Sequence, residues 1–284
     1  MTKIYDCFTF FNEFELLELR LRELYDHVDY FVLVEANKTF QNNDKPYHYQ
    51  ENKEKFKIWH DKIIHVQVDN MPADTDTWGR ERFQRDQILS GLTHTAQDDI
   101  IMIGDVDEIP RLETIQKLKS SVQNVWGFRM PLFNFKLNYM LYTNDFYSIW
   151  SGAIRRSLLD SPEDFRRMRH MLNQFTYSFG DDNVQIIEHA GWHFTYFGDE
   201  QFITTKLQSY AHQEANTPEN IEQLNVNQSI ENGVGVIQSD SSARFVPVLL
   251  DDYFPQSVKN NPNKYKDVII NTASKTVKDI LPFE

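Results

Sequence analysis

One cysteine among 284 residues leaves no partner for an internal disulfide, and a single thiol fits a reducing compartment. That residue, Cys7, lies in the apolar run Tyr5-Asp6-Cys7-Phe8-Thr9-Phe10-Phe11, where a buried strand position is expected. No apolar run approaches the roughly 20 residues a membrane span needs. No basic start leads into an apolar segment of the signal-peptide kind. Internal repeats and low-complexity tracts are missing as well. Positive charge is scarce: 29 Lys and Arg stand against 42 Asp and Glu, a net −13 that argues against nucleic acid or an anionic membrane as the main partner. The expectation is a soluble, cytoplasmic chain. The sequons Asn37-Lys38-Thr39 and Asn227-Gln228-Ser229 would matter only in a secretory lumen.

What is present suffices for a core. Hydrophobic residues make up 40% of the chain and aromatics 14%, so most of its length is expected to fold. Strand and helix signals alternate through the first half. Ile4 to Phe10, Tyr30 to Val34 and Ile63 to Val68 read as strands. Phe14, Leu17, Leu21 and Leu24 share one helical face, with Glu15, Glu18, Arg22 and Glu23 elsewhere. A second helix is expected from Arg80 to Leu92, and Pro110 is expected to open a third that runs to about Ser121. This order predicts an α/β fold, a Rossmann-type, mostly parallel sheet flanked by helices. Val125 to Leu137, Tyr147 to Arg155 and Ile186 to Phe197 read as strands of a mixed or antiparallel C-terminal extension. Ser161 to Asp182 shows little pattern, Glu200 to His212 reads as a helix, and the polar stretch from Glu214 to Ser242 as a loop or lid. A single domain over 1–284 is expected, in two halves, 1–124 and 125–284.

The most informative segment is Ile100-Ile101-Met102-Ile103-Gly104-Asp105-Val106-Asp107-Glu108-Ile109-Pro110. Its apolar start suits a strand covered on both faces. Three carboxylates follow within four positions, at the strand end where open α/β sheets bind ligands. Acids so crowded repel one another unless a cation lies between them, and hard oxygen ligands suit Mg²⁺ or Mn²⁺. Asp105 and Asp107 point oppositely in extended backbone, so both can face one ion only if the chain turns after Gly104. The alternative is a set of caps for the next helix.

Other residues point to the same edge. Glu35 ends a neighbouring strand and could accept from a ribose or base, or be a solvated loop acid. Arg80, Arg82, Arg85 and Asp86 lie on one helix start; arginine grips phosphate through a fork of donors, and Arg85 with Asp86 is the pair placed to reach a nucleotide. His189 and His193 are four apart, but Gly191 and the aromatic neighbours argue against a helical zinc pair. His193 alone is a candidate metal ligand, against the plainer reading of a buried, satisfied histidine. Arg155, Arg156, Arg166, Arg167, Arg169 and His170 concentrate positive charge that could hold a diphosphate or an anionic acceptor. Trp150, Trp192, Tyr139, Tyr142 and Tyr147 could stack on sugars, although most aromatics in such a chain are core.

Taken together, Tyr5 to Glu13, Val32 to Phe40 with Lys45-Pro46, Gly104-Asp105-Val106-Asp107-Glu108-Ile109-Pro110, and Ala190-Gly191-Trp192-His193-Phe194 with Lys206-Leu207 resemble glycosyltransferase family 17. The likeness implies a GT-A-like transferase with a UDP-sugar donor, UDP-GlcNAc above all, a Mn²⁺ or Mg²⁺ ion, inversion at the anomeric carbon and a glycan acceptor. It places Asp105 at ribose or metal, Asp107 at the metal, His193 at the metal or diphosphate, and Glu35 in the uridine pocket, with 1–124 the nucleotide-sugar half and 125–284 the acceptor half. A surface glycan built on the cytoplasmic side is the expected acceptor. Glu108, Asp182, Glu188, Asp199 and Glu200 are the candidates for general base. Two rivals stand beside this reading. One is a phosphohydrolase of the haloacid dehalogenase type, which also carries Asp-x-Asp after a strand; the other is a non-catalytic sugar-binding module.

Overall fold

The computed structural model describes residues 2–142, 148–170, 178–211, 216–222, 224–236 and 244–281. Its first half runs β1 (Ile4–Thr9), α1 (Phe14–Leu24), β2 (Tyr30–Ala36), α2 (His48–Asn52), β3 (Ile63–Val68), α3 (Thr77–Asp86), α4 (Ile88–Gly91) and β4 (Ile100–Asp105). β1 pairs in parallel with β2 on one side and β4 on the other, and β3 continues the parallel run beyond β2. Both faces are covered because both sets of alternating side chains are apolar. Ile4 and Phe8, Phe31 and Leu33, Ile100 and Met102 pack one layer with Leu17, Leu21 and Leu24 of α1. Tyr5 and Cys7, Val32 and Val34, Ile101 and Ile103 pack the other with Ile88 and Leu92. Cys7 is fully buried there, as expected.

Beyond β4 come β5 (Glu108–Pro110), α5 (Leu112–Ser120), β6 (Val125–Met130), β7 (Leu132–Asn134), β8 (Tyr139–Leu141), β9 (Ser148–Arg155), α6 (Pro162–Arg167), β10 (Val184–Ile187), β11 (Gly191–Thr195), α7 (Glu200–Ser209) and β12 (Phe245–Pro247). The larger sheet has the order β10-β6-β9-β4-β1-β2-β3, with β9 antiparallel to both neighbours. A second sheet, β12-β8-β7-β11-β5, builds the mixed extension. The α/β class with a parallel-dominated sheet is therefore the observed one. Among the described residues no helix is long and apolar enough to cross a membrane.

Several boundaries differ from expectation for local reasons. Pro110 does not open a helix; it pairs with Gly191 in β5, and α5 begins at Leu112. β5 lies at the edge of its sheet, where a missing N–H is tolerated. The helix expected from Arg80 to Leu92 breaks at Gln87 into α3 and α4. Val125 to Leu137 splits at Pro131 into strands of different sheets, and Ile186 to Phe197 splits near His189, a non-glycine residue at φ 51°. The stretch from Ser161 is not patternless: Ser161 caps α6 by accepting from the Asp164 amide at 3.0 Å, and Pro162 occupies its first turn. In the supposed lid, Pro218–Glu222 and Val226–Asn232 are helical, while 237–242 fall outside the described residues.

Candidate active site

β4 delivers Asp105 to the edge at which parallel β1, β2 and β3 also end. Val106 and Asp107 then form a tight turn, and the chain reverses into β5 of the other sheet. The turn required to bring the acids together is thus present. Gly104 allows it: a Cβ there would lie 3.0 Å from Glu108 Oε2 and 3.1 Å from the Ser151 Cβ. Glu108 folds back and accepts from the Asp105 amide at 2.9 Å. β11 runs antiparallel to β5 with His193 opposite Glu108. Gly191 permits that approach, since a Cβ would meet the Ile109 carbonyl at 2.1 Å. One ligand atom from each of Asp107, Glu108 and His193 lies within 4.8 Å of the others.

These residues open on a cavity of about 380 Å³ between the two sheets. Phe11, Phe40 and Trp78 line it on the β1, β2 and α3 side; Leu132, Trp150 and Tyr196 line it on the side of the smaller sheet. In an acidic chain the lining is locally cationic. Lys38, Lys45, Arg85, Arg166, Arg169 and Lys206 face Glu13, Glu81, Asp105, Asp107 and Glu108. Such a concentration of donors suits an anion with several oxygens.

The acids are held in place by this cationic set. Arg85 Nη2 donates to Asp105 Oδ1 at 3.0 Å, and Arg166 takes Asp105 Oδ2. Arg166 also donates to Glu108 Oε1 at 2.7 Å. Desolvation raises the Asp105 carboxyl, but Arg166 and Arg85 outweigh it and hold the group well below the usual carboxylate range. Lys206 of α7 reaches Asp107 Oδ2 at 2.9 Å and Glu13 Oε1 at 3.6 Å. Burial lowers that ammonium, yet the two acids raise it above the ordinary lysine value. The remaining oxygen, Asp107 Oδ1, lies 3.8 Å from His193 Nε2. Burial pulls His193 below its ordinary value against the opposing pull of Asp107, which keeps the imidazole in its metal-binding neutral form. Its Nδ1 is buried without a hydrogen-bond partner, and Trp150 packs on the ring at 4.4 Å between centroids. Two carboxylates and a neutral imidazole with one unpartnered ring nitrogen fit a hard or borderline divalent ion such as Mg²⁺ or Mn²⁺.

Asp105, Asp107, Glu108, His193 and Arg85 therefore meet in the cavity. Arg166, Arg169 and Trp150, expected at a diphosphate and at sugars, line it as well; the other expected residues are placed elsewhere. Glu35 is fully buried, accepting from the Tyr49 amide at 2.9 Å and the Gln50 amide at 3.0 Å and pairing with His65; it tethers α2 and does not line this cavity. Arg80 spends its guanidinium on the carbonyls of Pro72, Phe40 and Ala73. Asp86 accepts from Ser161 Oγ at 2.8 Å and the Glu163 amide at 3.0 Å, anchoring the start of α6. Asp105 lies beside the trio of Asp107, Glu108 and His193, with its oxygens on Arg85 and Arg166 as those of Glu108 are on Arg166. None of the base candidates by position lines the cavity: Asp182 is exposed in a turn before β10, Glu188 pairs with Arg129 at 2.7 Å, Asp199 caps α7, and Glu200 accepts from the Val226 amide at 3.0 Å. Glu108 is inside, and its oxygens accept from Arg166 and the Asp105 amide. Trp192 and Tyr139 are core, Tyr142 is half exposed outside the cavity, and Tyr147 lies outside the described residues.

Several roles escaped the sequence reading. Glu13, Glu81 and the pairing role of Lys206 belong to loops and helices without a distinctive local pattern. Arg166 was one of six cationic residues with nothing to single it out, although the Ser161-Pro162-Glu163-Asp164 cap could have signalled a helix beneath it. Arg20 carried a signal of its own: it falls three residues after Leu17 and four before Leu24, a charge on the buried face of α1.

Comparison with known proteins gives a consistent result. The model of "Glycosyltransferase family 17" matches residues 1–239. The β-1,4-mannosyl-glycoprotein 4-β-N-acetylglucosaminyltransferase of Homo sapiens is 32% identical over 116 residues, 38% of this chain and 22% of that enzyme, and the Rattus norvegicus enzyme matches equally. The match thus spans about a fifth of those relatives. A solved structure, glucosyl-3-phosphoglycerate synthase from Mycobacterium tuberculosis in complex with phosphoglyceric acid, covers 91% of each chain at 12% identity with a TM-score of 0.41, a loose likeness.

Proposed function

The chain belongs to glycosyltransferase family 17, and from that premise we propose that it transfers a sugar, GlcNAc, from a UDP-sugar to a hydroxyl of a glycan. The observation that carries this reading is the metal-capable trio of Asp107, Glu108 and His193 lining a cavity rich in arginine and lysine. The names of the relatives support GlcNAc as the sugar and a glycan as the acceptor. Family membership disfavours the phosphohydrolase and the binding module.

The chemistry follows from the arrangement. Asp107 and His193, with Glu108, would hold a divalent ion, which supplies Lewis-acid neutralisation of charge on the departing diphosphate. Arg169, Lys206 and Lys45 are cavity cations able to donate to phosphate oxygens. The acceptor oxygen attacks the anomeric carbon from the face opposite the diphosphate, so the sugar inverts as the bond to the phosphate oxygen breaks and UDP leaves with the electron pair. The hydroxyl proton passes to a carboxylate. Glu81, paired through one oxygen with Arg85 at 2.7 Å, is the cavity acid least committed to other partners.

A thermal-shift series with UDP and UDP-sugars, with and without Mn²⁺, tests this directly. A ligand at 100 times its dissociation constant adds about 2.7 kcal/mol. UDP should give a metal-dependent shift that Asp107→Ala abolishes, together with Mn²⁺-dependent UDP release from UDP-GlcNAc. No shift with UDP under any metal condition, or phosphate release from phosphomonoesters, would refute the assignment.

A further inference from the structure

Asp6 and Arg20 form a fully buried ion pair that the proposed chemistry does not use: their side chains are 0% and 1% exposed. Asp6 replaces an apolar residue in the middle of β1, on the layer filled by Ile4 and Phe8. Arg20 projects from the apolar face of α1 and stacks over the Phe8 ring at 4.6 Å. Its Nε and Nη2 donate to Asp6 at 2.7 and 2.6 Å. Its third nitrogen, Nη1, donates to the carbonyls of Asp105 at 2.9 Å, Val106 at 3.3 Å and Glu108 at 2.9 Å. One guanidinium therefore gathers the backbone of the whole turn that carries the metal-capable acids.

A buried pair of this kind is poor evidence of a stabilising device, since apolar side chains of similar volume often serve stability as well or better. Three converging carbonyls, by contrast, need a polar group with several donors, which no apolar side chain supplies, and Asp6 fixes the plane of the guanidinium that supplies them. We infer that Arg20, oriented by Asp6, is a positioning residue: it sets the turn so that Asp107 Oδ1 faces His193 and Glu108 lies opposite it. The inference rests on the metal-binding reading above and names the groups that hold those ligands from behind.

The test compares wild type with the Asp6→Leu/Arg20→Met double variant, which removes both charges and keeps the volume, and with Asp6→Asn should the double variant fail to fold. Two readouts are followed: the Mn²⁺ dissociation constant from free-ion EPR with UDP present, and hydrogen exchange of the Asp105 amide. Loss of a group that orients metal ligands costs about 10–100-fold in affinity. The double variant is expected to unfold close to wild type, bind Mn²⁺ at least about tenfold more weakly, and exchange the Asp105 amide faster while β2 amides are unchanged. Asp6→Asn should change both readouts in the same direction. Unchanged Mn²⁺ affinity in a folded variant overturns the inference, whether or not exchange accelerates. If wild type itself binds no Mn²⁺, the metal reading fails separately and the Asp105 amide alone decides whether the turn is anchored this way.

Discussion

Arg166→Met should be among the most destabilising single changes in this chain, and the structure supplies the magnitude. Arg166 is 3% exposed and pairs with Glu108, itself 1% exposed, and with Asp105. Removing the guanidinium strands the Glu108 carboxylate in the interior, with the Asp105 amide and the more distant Arg169, 4.0 Å from Oε1, for compensation. Breaking a buried pair by deleting one partner costs about 3–5 kcal/mol, because the surviving charge has lost its counterion. At about 2–4 °C per kcal/mol for chains near this size, the melting midpoint should fall by roughly 6–20 °C. Urea denaturation gives the energy and differential scanning calorimetry the midpoint. Adding Glu108→Leu should recover most of the loss, since the two sites are in contact and their effects do not add. A single variant within about 1 kcal/mol of wild type would refute the reasoning, as would a double variant no better than the single. Either outcome would mean that Glu108 finds other compensation when Arg166 is gone.

Two further outcomes follow. Glu35→Gln should lower stability by about 1–3 kcal/mol through the weakened tether of α2 and leave UDP affinity, measured by calorimetry, unchanged; weaker UDP binding at unaltered stability would return Glu35 to the nucleotide site. Lys45 lines the cavity, and burial lowers its ammonium from the ordinary lysine value to about 8. Its charge is therefore present below that pH and lost above it, so UDP affinity should decline as pH rises past 8, by at most about tenfold per unit. Lys45→Arg stays charged and should flatten the profile, whereas an identical decline in that variant would exclude Lys45 as the cause.

Much of this architecture was legible along the chain because local rules set it. Ile100 to Ile103 are apolar on both alternating sets, and only a strand covered on both faces accommodates that pattern. Asp105, Asp107 and Glu108 at its exit announced a charged site, since three acids in four positions exceed what capping a helix requires. The edge at which they gather follows from parallel pairing alone. His193 was readable as a candidate but not as a partner, for its place opposite Glu108 comes from the antiparallel register of β11 on β5.

What the tertiary structure decided was which charges are used up. Glu35, Arg80 and Asp86 look in sequence like ligands at strand and helix ends, but each is consumed by backbone groups that folding brings alongside. Arg166 was one of a cluster of cations offered to a diphosphate and Arg20 went unread, yet both sit against the acidic turn, one on its carboxylates and the other on its carbonyls. Residue type and spacing determine what a side chain is able to bond. Which partner arrives first is settled across 58 residues for Arg166 and Glu108 and across 85 for Arg20 and the Asp105 carbonyl. At such separations only packing sets the distance, and a buried charge goes to whichever partner packing supplies.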